Sequence, residues 1–187
     1  MTVGAGPKYF LRPGVPASEF VFFLSSGSDV VIQRDLFDAM VRTTNAQFRL
    51  RGDPSRRFNL VVDRWELDAP RRNQTWLNEE FVRRAASAHC TLVLLSADIR
   101  PGTLEELEAV LAEPTVQLAV LWMKPLGGRS KRKLTELLNS NRDNFLYEVT
   151  GAPGSFEATV SMLKVIQAAV AELTNPKRQE ELFYEDQ

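Results

Sequence analysis

Short, continuously apolar runs alternate along this chain with longer stretches in which apolar residues recur at helical spacing. The first run, Glu19-Phe20-Val21-Phe22-Phe23-Leu24, has too few polar positions for a strand with one wet face and predicts a central strand. Phe58-Asn59-Leu60-Val61-Val62, Thr91 to Leu95, Val116 to Trp122 and Phe145-Leu146-Tyr147-Glu148-Val149 predict four more. Between them, Ile32, Leu36, Met40 and Val41 mark a helix from about Val30 to Phe48, with Asp29 or Ser28 as its N-cap. Leu77, Phe81, Val82 and Ala85 mark a helix over Trp76 to Ala88, a short helix follows from Leu104 to about Ala112, and a long one runs from Phe156 to Leu173. A basic loop, Lys124 to Lys133, leads into a helix ending near Ser140.

Strand and helix alternation of this kind predicts a mainly parallel five-stranded sheet, doubly wound, with helices on both faces. Residues 1–18, rich in Gly and Pro, read as an irregular lead; residues 19–174 form one α/β domain, and residues 175–187 form an acidic tail or linker. The sequence carries no internal repeat.

Composition narrows the chemistry more than the architecture. At 187 residues, 44% hydrophobic and 25% charged, the chain suits one core. A net charge of -1 gives no bulk attraction to nucleic acid or anionic membrane, and neither is expected as a partner. No apolar stretch approaches the roughly 20 residues of a membrane span, so a cytoplasmic location is expected. Cys90 is the single cysteine and His89 the single histidine, which removes the usual metal-binding sets and Cys-His pairs; no metal is expected. His89 and Cys90 also enter a strand from the edge opposite the one where parallel sheets bind ligands, and a histidine there is explained by the dipole of the preceding helix. Chemistry must rest on carboxylates, hydroxyls or backbone.

The carboxyl ends of parallel strands converge on one edge. That edge collects Ser25, Ser26, Gly27, Ser28 and Asp29 after the first strand, Asp63, Arg64, Trp65 and Glu66 after the second, and Ser96, Asp98, Thr103, Glu105 and Glu106 after the third. Its densest segment is Pro101-Gly102-Thr103-Leu104-Glu105-Glu106-Leu107. Two readings fit those letters. Either a carboxylate faces the cleft, or Thr103-Leu104-Glu105-Glu106 is a capping box in which Glu106 bonds back to the Thr103 N–H.

Ser25-Ser26 with Asp29 and then Arg34-Asp35 resembles the opening of bacterial TIR-like domains of the defence and signalling type. Trp65-Glu66, Asp68, Pro70, Gln74, Asn78-Glu79-Glu80 and the Gly102-Thr103-x-Glu-Glu-Leu turn continue the resemblance in order, over roughly Phe20 to Trp122. The turn is also similar to the Gly-Thr-x-x-Glu of nucleoside 2-deoxyribosyltransferases, whose catalytic glutamate falls on Glu106. The resemblance implies a flavodoxin-like or TIR-like fold and cleavage of an N-glycosidic bond in NAD or a related nucleotide. NAD enters as substrate, and no cofactor is implied. It further implies an effector in antiphage defence or stress signalling, activated by self-association, with room for further domains or partner proteins.

On that resemblance Glu106 is the catalytic carboxylate and Glu105 the neighbouring alternative, because a one-residue shift in the turn exchanges them. Ser25, Ser26 and the backbone at Gly27 would hold ribose or phosphate oxygens at the first helix N-terminus, although Asp29 already places negative charge there. Trp65 would stack on a base, Asp98 would bind a ribose hydroxyl, and Asp29 and Thr103 complete the polar set offered to substrate. The other class of function compatible with these residues is a non-catalytic module that binds a nucleotide signal or a partner.

Overall fold

The computed structural model describes residues 17–51, 57–64, 74–96, 99–113, 116–123, 132, 135–137 and 145–173. Strand β1 spans Ala17–Ser26; a 3-10 turn over Ser28–Val30 leads into helix α1, Val31–Arg51. Then follow β2 (Arg57–Asp63), α2 (Gln74–Ser87), β3 (Cys90–Leu95), α3 (Pro101–Leu111), β4 (Gln117–Met123), β5 (Phe145–Thr150) and α4 (Phe156–Leu173). The sheet order is β2-β1-β3-β4-β5 and every pairing is parallel, a flavodoxin-like α/β arrangement.

The pleat sorts the apolar runs between two layers. Phe20, Phe22 and Leu24 of β1 share one face with Leu92, Leu94, Leu121 and Met123, covered by Phe37 and Val41 of α1 and by Met162, Val165 and Ile166 of α4. Phe23, Val93, Leu95, Val120 and Trp122 share the other, covered by Phe81 and Ala85 of α2 and by Leu107 and Val110 of α3. Burial on both sides is why the strand sequences are continuously apolar: all six residues of β3 are buried.

Two elements that shape the site, one strand and one helix, differ in their bounds from expectation. β1 begins at Ala17 and runs through Ser26, so both serines belong to the strand rather than to the loop after it. α3 begins at Pro101, three residues before Leu104, because proline fixes φ near helical values and lacks the N–H that a first-turn residue would leave unpaired. Most of the basic loop from Lys124, together with residues 1–16 and 174–187, lies outside the described residues, although Arg132 and residues 135–137 are helical. Among the described residues no helix is long and apolar enough to cross a membrane.

His89 is not an exposed cation at a helix end. It is buried, its Nδ1 accepts a 2.9 Å hydrogen bond from the Val21 N–H, and its ring stacks on Phe20 at 5.3 Å. Burial lowers its pKa from 6.5 to about 4, so the ring is neutral and the helix-dipole explanation fails: a dipole favours only the charged form. The His89 backbone adds bonds to Val21 and Gln117, tying the middle of β1 to the amino ends of β3 and β4.

Candidate functional site

The chain leaves β1 toward β2 on one side and leaves β3 toward β4 on the other, so the strand order reverses between β1 and β3. In open α/β sheets such a switch point opens a crevice beyond the carboxyl ends. Three segments follow the carboxyl ends of β1 and β3 at that edge: Ser25 to Asp29, Ser96 with Ile99 and Arg100, and the start of α3.

Helix α3 buries Thr103, Glu106, Leu107 and Val110, the i, i+3, i+4, i+7 stripe of an amphipathic helix. Glu106 therefore sits where the pattern calls for an apolar residue. Starting α3 at Pro101 decides this. The N-cap is Arg100, with extended backbone and no side-chain cap bond, and Thr103 lies a full turn beyond the position a capping box requires. The Leu104 N–H donates to Arg100 O at 3.0 Å as an ordinary first turn. The capping-box reading of Glu106 is overturned.

The Glu106 carboxylate points to the sheet instead. Ser25, wholly buried, donates its hydroxyl hydrogen to Glu106 Oε2 across 81 residues of sequence. Burial raises the Glu106 pKa from 4.5 to about 7; the Ser25 hydrogen bond opposes that rise and the charge of Glu105 adds to it. Glu105 itself is exposed, one helical step around from the buried stripe.

The other predicted residues divide. Ser25 and Ser26, being strand neighbours, point to opposite faces: Ser25 toward α3, Ser26 toward the α1 face. Ser26 Oγ is buried and has no hydrogen-bond partner among the described residues. Asp29 accepts a hydrogen bond from Ser96, which joins the loop after β1 to the loop after β3 at the crevice mouth. Thr103 is buried on the inner face of α3. Asp63 and Arg64 are engaged elsewhere, Asp63 with Arg84 at 3.0 Å and Arg64 with Asp35 at 2.7 Å, where they hold α2 and α1 to the β2 edge. Trp65 and Asp98 lie outside the described residues.

Arg100 is a site residue that sequence reasoning missed. A side chain built on Gly27 would collide with the Asp29 carboxylate and come within 3.3 Å of Arg100 Nε, so Gly27, Asp29 and Arg100 are packed together. By contrast, a Cβ on Gly102 would meet nothing within 4 Å, so packing does not demand glycine in the Gly-Thr turn. Among the described residues no group of three or more His, Cys, Asp or Glu side chains could hold a metal ion.

No family model matches this chain, and no curated protein matches it. Among solved structures it is similar to the rubredoxin oxygen:oxidoreductase of Desulfovibrio gigas, at 14% identity and a TM-score of 0.42, over 84% of this chain and 37% of that one. It is also similar to the metal-soaked Flv1 flavodiiron core of Synechocystis sp. PCC6803, at 11% identity and 0.43, over 81% and 36%. The chain thus spans little more than a third of either protein.

Proposed function

We propose that this protein is a TIR-like nucleotide glycohydrolase that cleaves the N-glycosidic bond of NAD or a related nucleotide, with Glu106 as the catalytic carboxylate. The observation that carries the reading is a carboxylate buried beside the β1/β3 switch point with a single hydroxyl as its hydrogen-bond partner among the described residues. A buried carboxylate that meets no cation among the described residues is electrostatically incomplete there. A pyridinium N-glycoside would supply the missing positive charge and favour the ionised form of Glu106 on binding.

The chemistry needs one carboxylate. The bond between the ribose anomeric carbon and the ring nitrogen breaks, its electron pair leaving with a nitrogen that becomes neutral, so no acid is needed for departure. Positive charge moves to the ribose, where ionised Glu106 stabilises it. Water then adds to the anomeric carbon and gives up a proton. Asp29, Ser96 and Arg100 border the same crevice and are suited to ribose hydroxyls and phosphate oxygens. In this reading the protein is an antiphage or stress effector activated by self-association.

The test is incubation of concentrated protein with NAD, NADP and nucleosides, with Glu106→Gln beside it and the products separated. Release of the free base by the wild type and its loss in the variant supports the reading. Base release that Glu106→Gln leaves intact refutes the role of Glu106, and nucleotide binding without turnover gives the non-catalytic module instead.

A further inference from the structure

Ser25 occupies the last turn of the pleat before β1 ends, and β1 is flanked by β2 and β3, so its hydroxyl projects from an inner strand of the sheet. Glu106 reaches it from the second turn of α3. Resting on the glycohydrolase reading of Glu106, we propose that Ser25 is a positioning residue: its hydroxyl holds one carboxylate oxygen of Glu106 against the sheet and fixes the direction in which the carboxylate faces the crevice. This replaces the expectation that Ser25 binds substrate itself, because its donor hydrogen is already committed to Glu106.

A glutamate side chain has three rotatable bonds, and confining it without an anchor costs rotamer freedom. The anchor here comes from an inner strand, paired with β2 on one side and β3 on the other. A hydroxyl that donates to a carboxylate also favours its ionised form, the form the chemistry uses. Few other groups can do the same. On α3 the neighbour is Glu105, of like charge; β3 presents Val93 and Leu95, and α2 presents Phe81 and Ala85 on this face. Glu80 and Arg84 of α2 are paired with each other and, through Arg84, with Asp63 at the β2 end. At the crevice mouth stand Asp29, with Ser96, and Arg100.

The experiment compares full-length wild type with Ser25→Ala, Ser25→Cys and Ser25→Thr in two measurements. The first follows the side-chain carboxyl resonance of Glu106 by 13C NMR against pH, assigned by its absence in Glu106→Gln, and needs no substrate. Loss of a hydrogen bond to a charged group should move the Glu106 midpoint upward by about 1 pH unit in Ser25→Ala, less in Ser25→Cys, and hardly at all in Ser25→Thr. The second follows NAD turnover against pH. Ser25→Ala should lower kcat at pH 7 by about 10-fold with KM nearly unchanged, part of the loss being recovered at higher pH. A midpoint that stays in place in Ser25→Ala and Ser25→Cys overturns the proposal, whatever those variants do to the melting temperature. So does a loss expressed only in KM. If the midpoint moves as expected but the wild type turns over no nucleotide, the positioning contact stands and the glycohydrolase reading is the one that falls.

Discussion

The two ends of the β1–β3 strand pair each bury one titratable side chain, and they treat it in opposite ways. At the amino end, His89 is held through Nδ1, its ring face and its backbone. Its ring nitrogen accepts the Val21 N–H, its ring stacks on Phe20, and its backbone joins three strands. At the carboxyl end, Glu106 sits in an apolar stripe where, among the described residues, one hydroxyl and one like-charged neighbour act on it. Burial disfavours the charged form of both groups, lowering His89 to about 4 and raising Glu106 to about 7. Neutral His89 is what the fold needs, because only the neutral ring can accept a backbone N–H. Ionised Glu106 is something the fold would be more stable without. In the glycohydrolase reading the ionised form is the working one, and a position that costs stability in that form marks a functional demand.

The sharpest way to break this contrast is Glu106→Gln. Turnover should fall by about 10³-fold or more, since removing even one stabilising group aimed at developing charge costs about 10²–10³. The same change should stabilise the protein at alkaline pH. A folded pKa raised from 4.5 to about 7 means that the Glu106 contribution is fully present below pH 4.5 and is lost as pH rises through about 7. The loss amounts to about 3 kcal/mol at roughly 1.4 kcal/mol per pH unit. Glutamine never ionises, so denaturant titrations should show the variant more stable at pH 8.5 and close to wild type at pH 5. A variant less stable than wild type at both values would make Glu106 a structural residue like His89.

His89 carries the opposite sign. A folded pKa depressed from 6.5 to about 4 contributes stability present above pH 6.5 and lost as pH falls through about 4. His89→Ala removes the acceptor of a buried N–H and opens a cavity, which together should cost about 3 kcal/mol at pH 7.5. The deficit should shrink on acidification, as the wild type loses its own term. Turnover per folded molecule should stay the same. A large fall in kcat at unchanged stability would erase the distinction between the two ends.

How much of this was legible in the sequence follows from the range over which each feature is decided. The five strands and the α4 bounds, Phe156–Leu173, come from patterns within one element and the parallel sheet from the alternation of strands and helices, and these emerged as expected apart from the longer β1. Glu106 was legible as a candidate but not as a geometry. Its letters fit a capping box, and only the start of α3 at Pro101 instead of Leu104 turns the side chain to the sheet. A residue of the i, i+3, i+4 stripe that is charged was the available signal. Ser25 as its partner was not legible, since no local pattern links positions 81 residues apart. His89 misled because a histidine near a helix end has a ready local explanation, whereas its true partners, Val21 and Phe20, come from another strand.

The two glycines of the crevice sharpen the comparison on a smaller scale. Gly27→Ala forces its methyl into the Asp29 carboxylate and against Arg100 Nε, so the Asp29–Ser96 link and the crevice mouth should shift. Turnover should drop about 10-fold, since misplacing a positioned group by about 1 Å can cost more. Gly102→Ala meets open space and improves helix propensity by up to about 1 kcal/mol, so the melting temperature should rise slightly. If Gly102→Ala also lowers turnover, the open space beside it is occupied by substrate.

Cys90 offers the smallest effect and the cleanest check on the structural end. It is fully buried at the start of β3, next to His89, and burial pushes its thiol up to about 12. The thiolate is the reactive form, so at pH 8 an alkylating reagent should reach Cys90 only when the amino end of the β1–β3 pair opens. Labelling followed by mass spectrometry should therefore be negligible in the wild type and accelerate in His89→Ala, in which that end is loosened. In Glu106→Gln the rate should be as low as in wild type or lower at this pH. Equal labelling in all three proteins would mean that the His89 contacts do not secure β3, and the two ends would then differ in chemistry but not in their contribution to the fold.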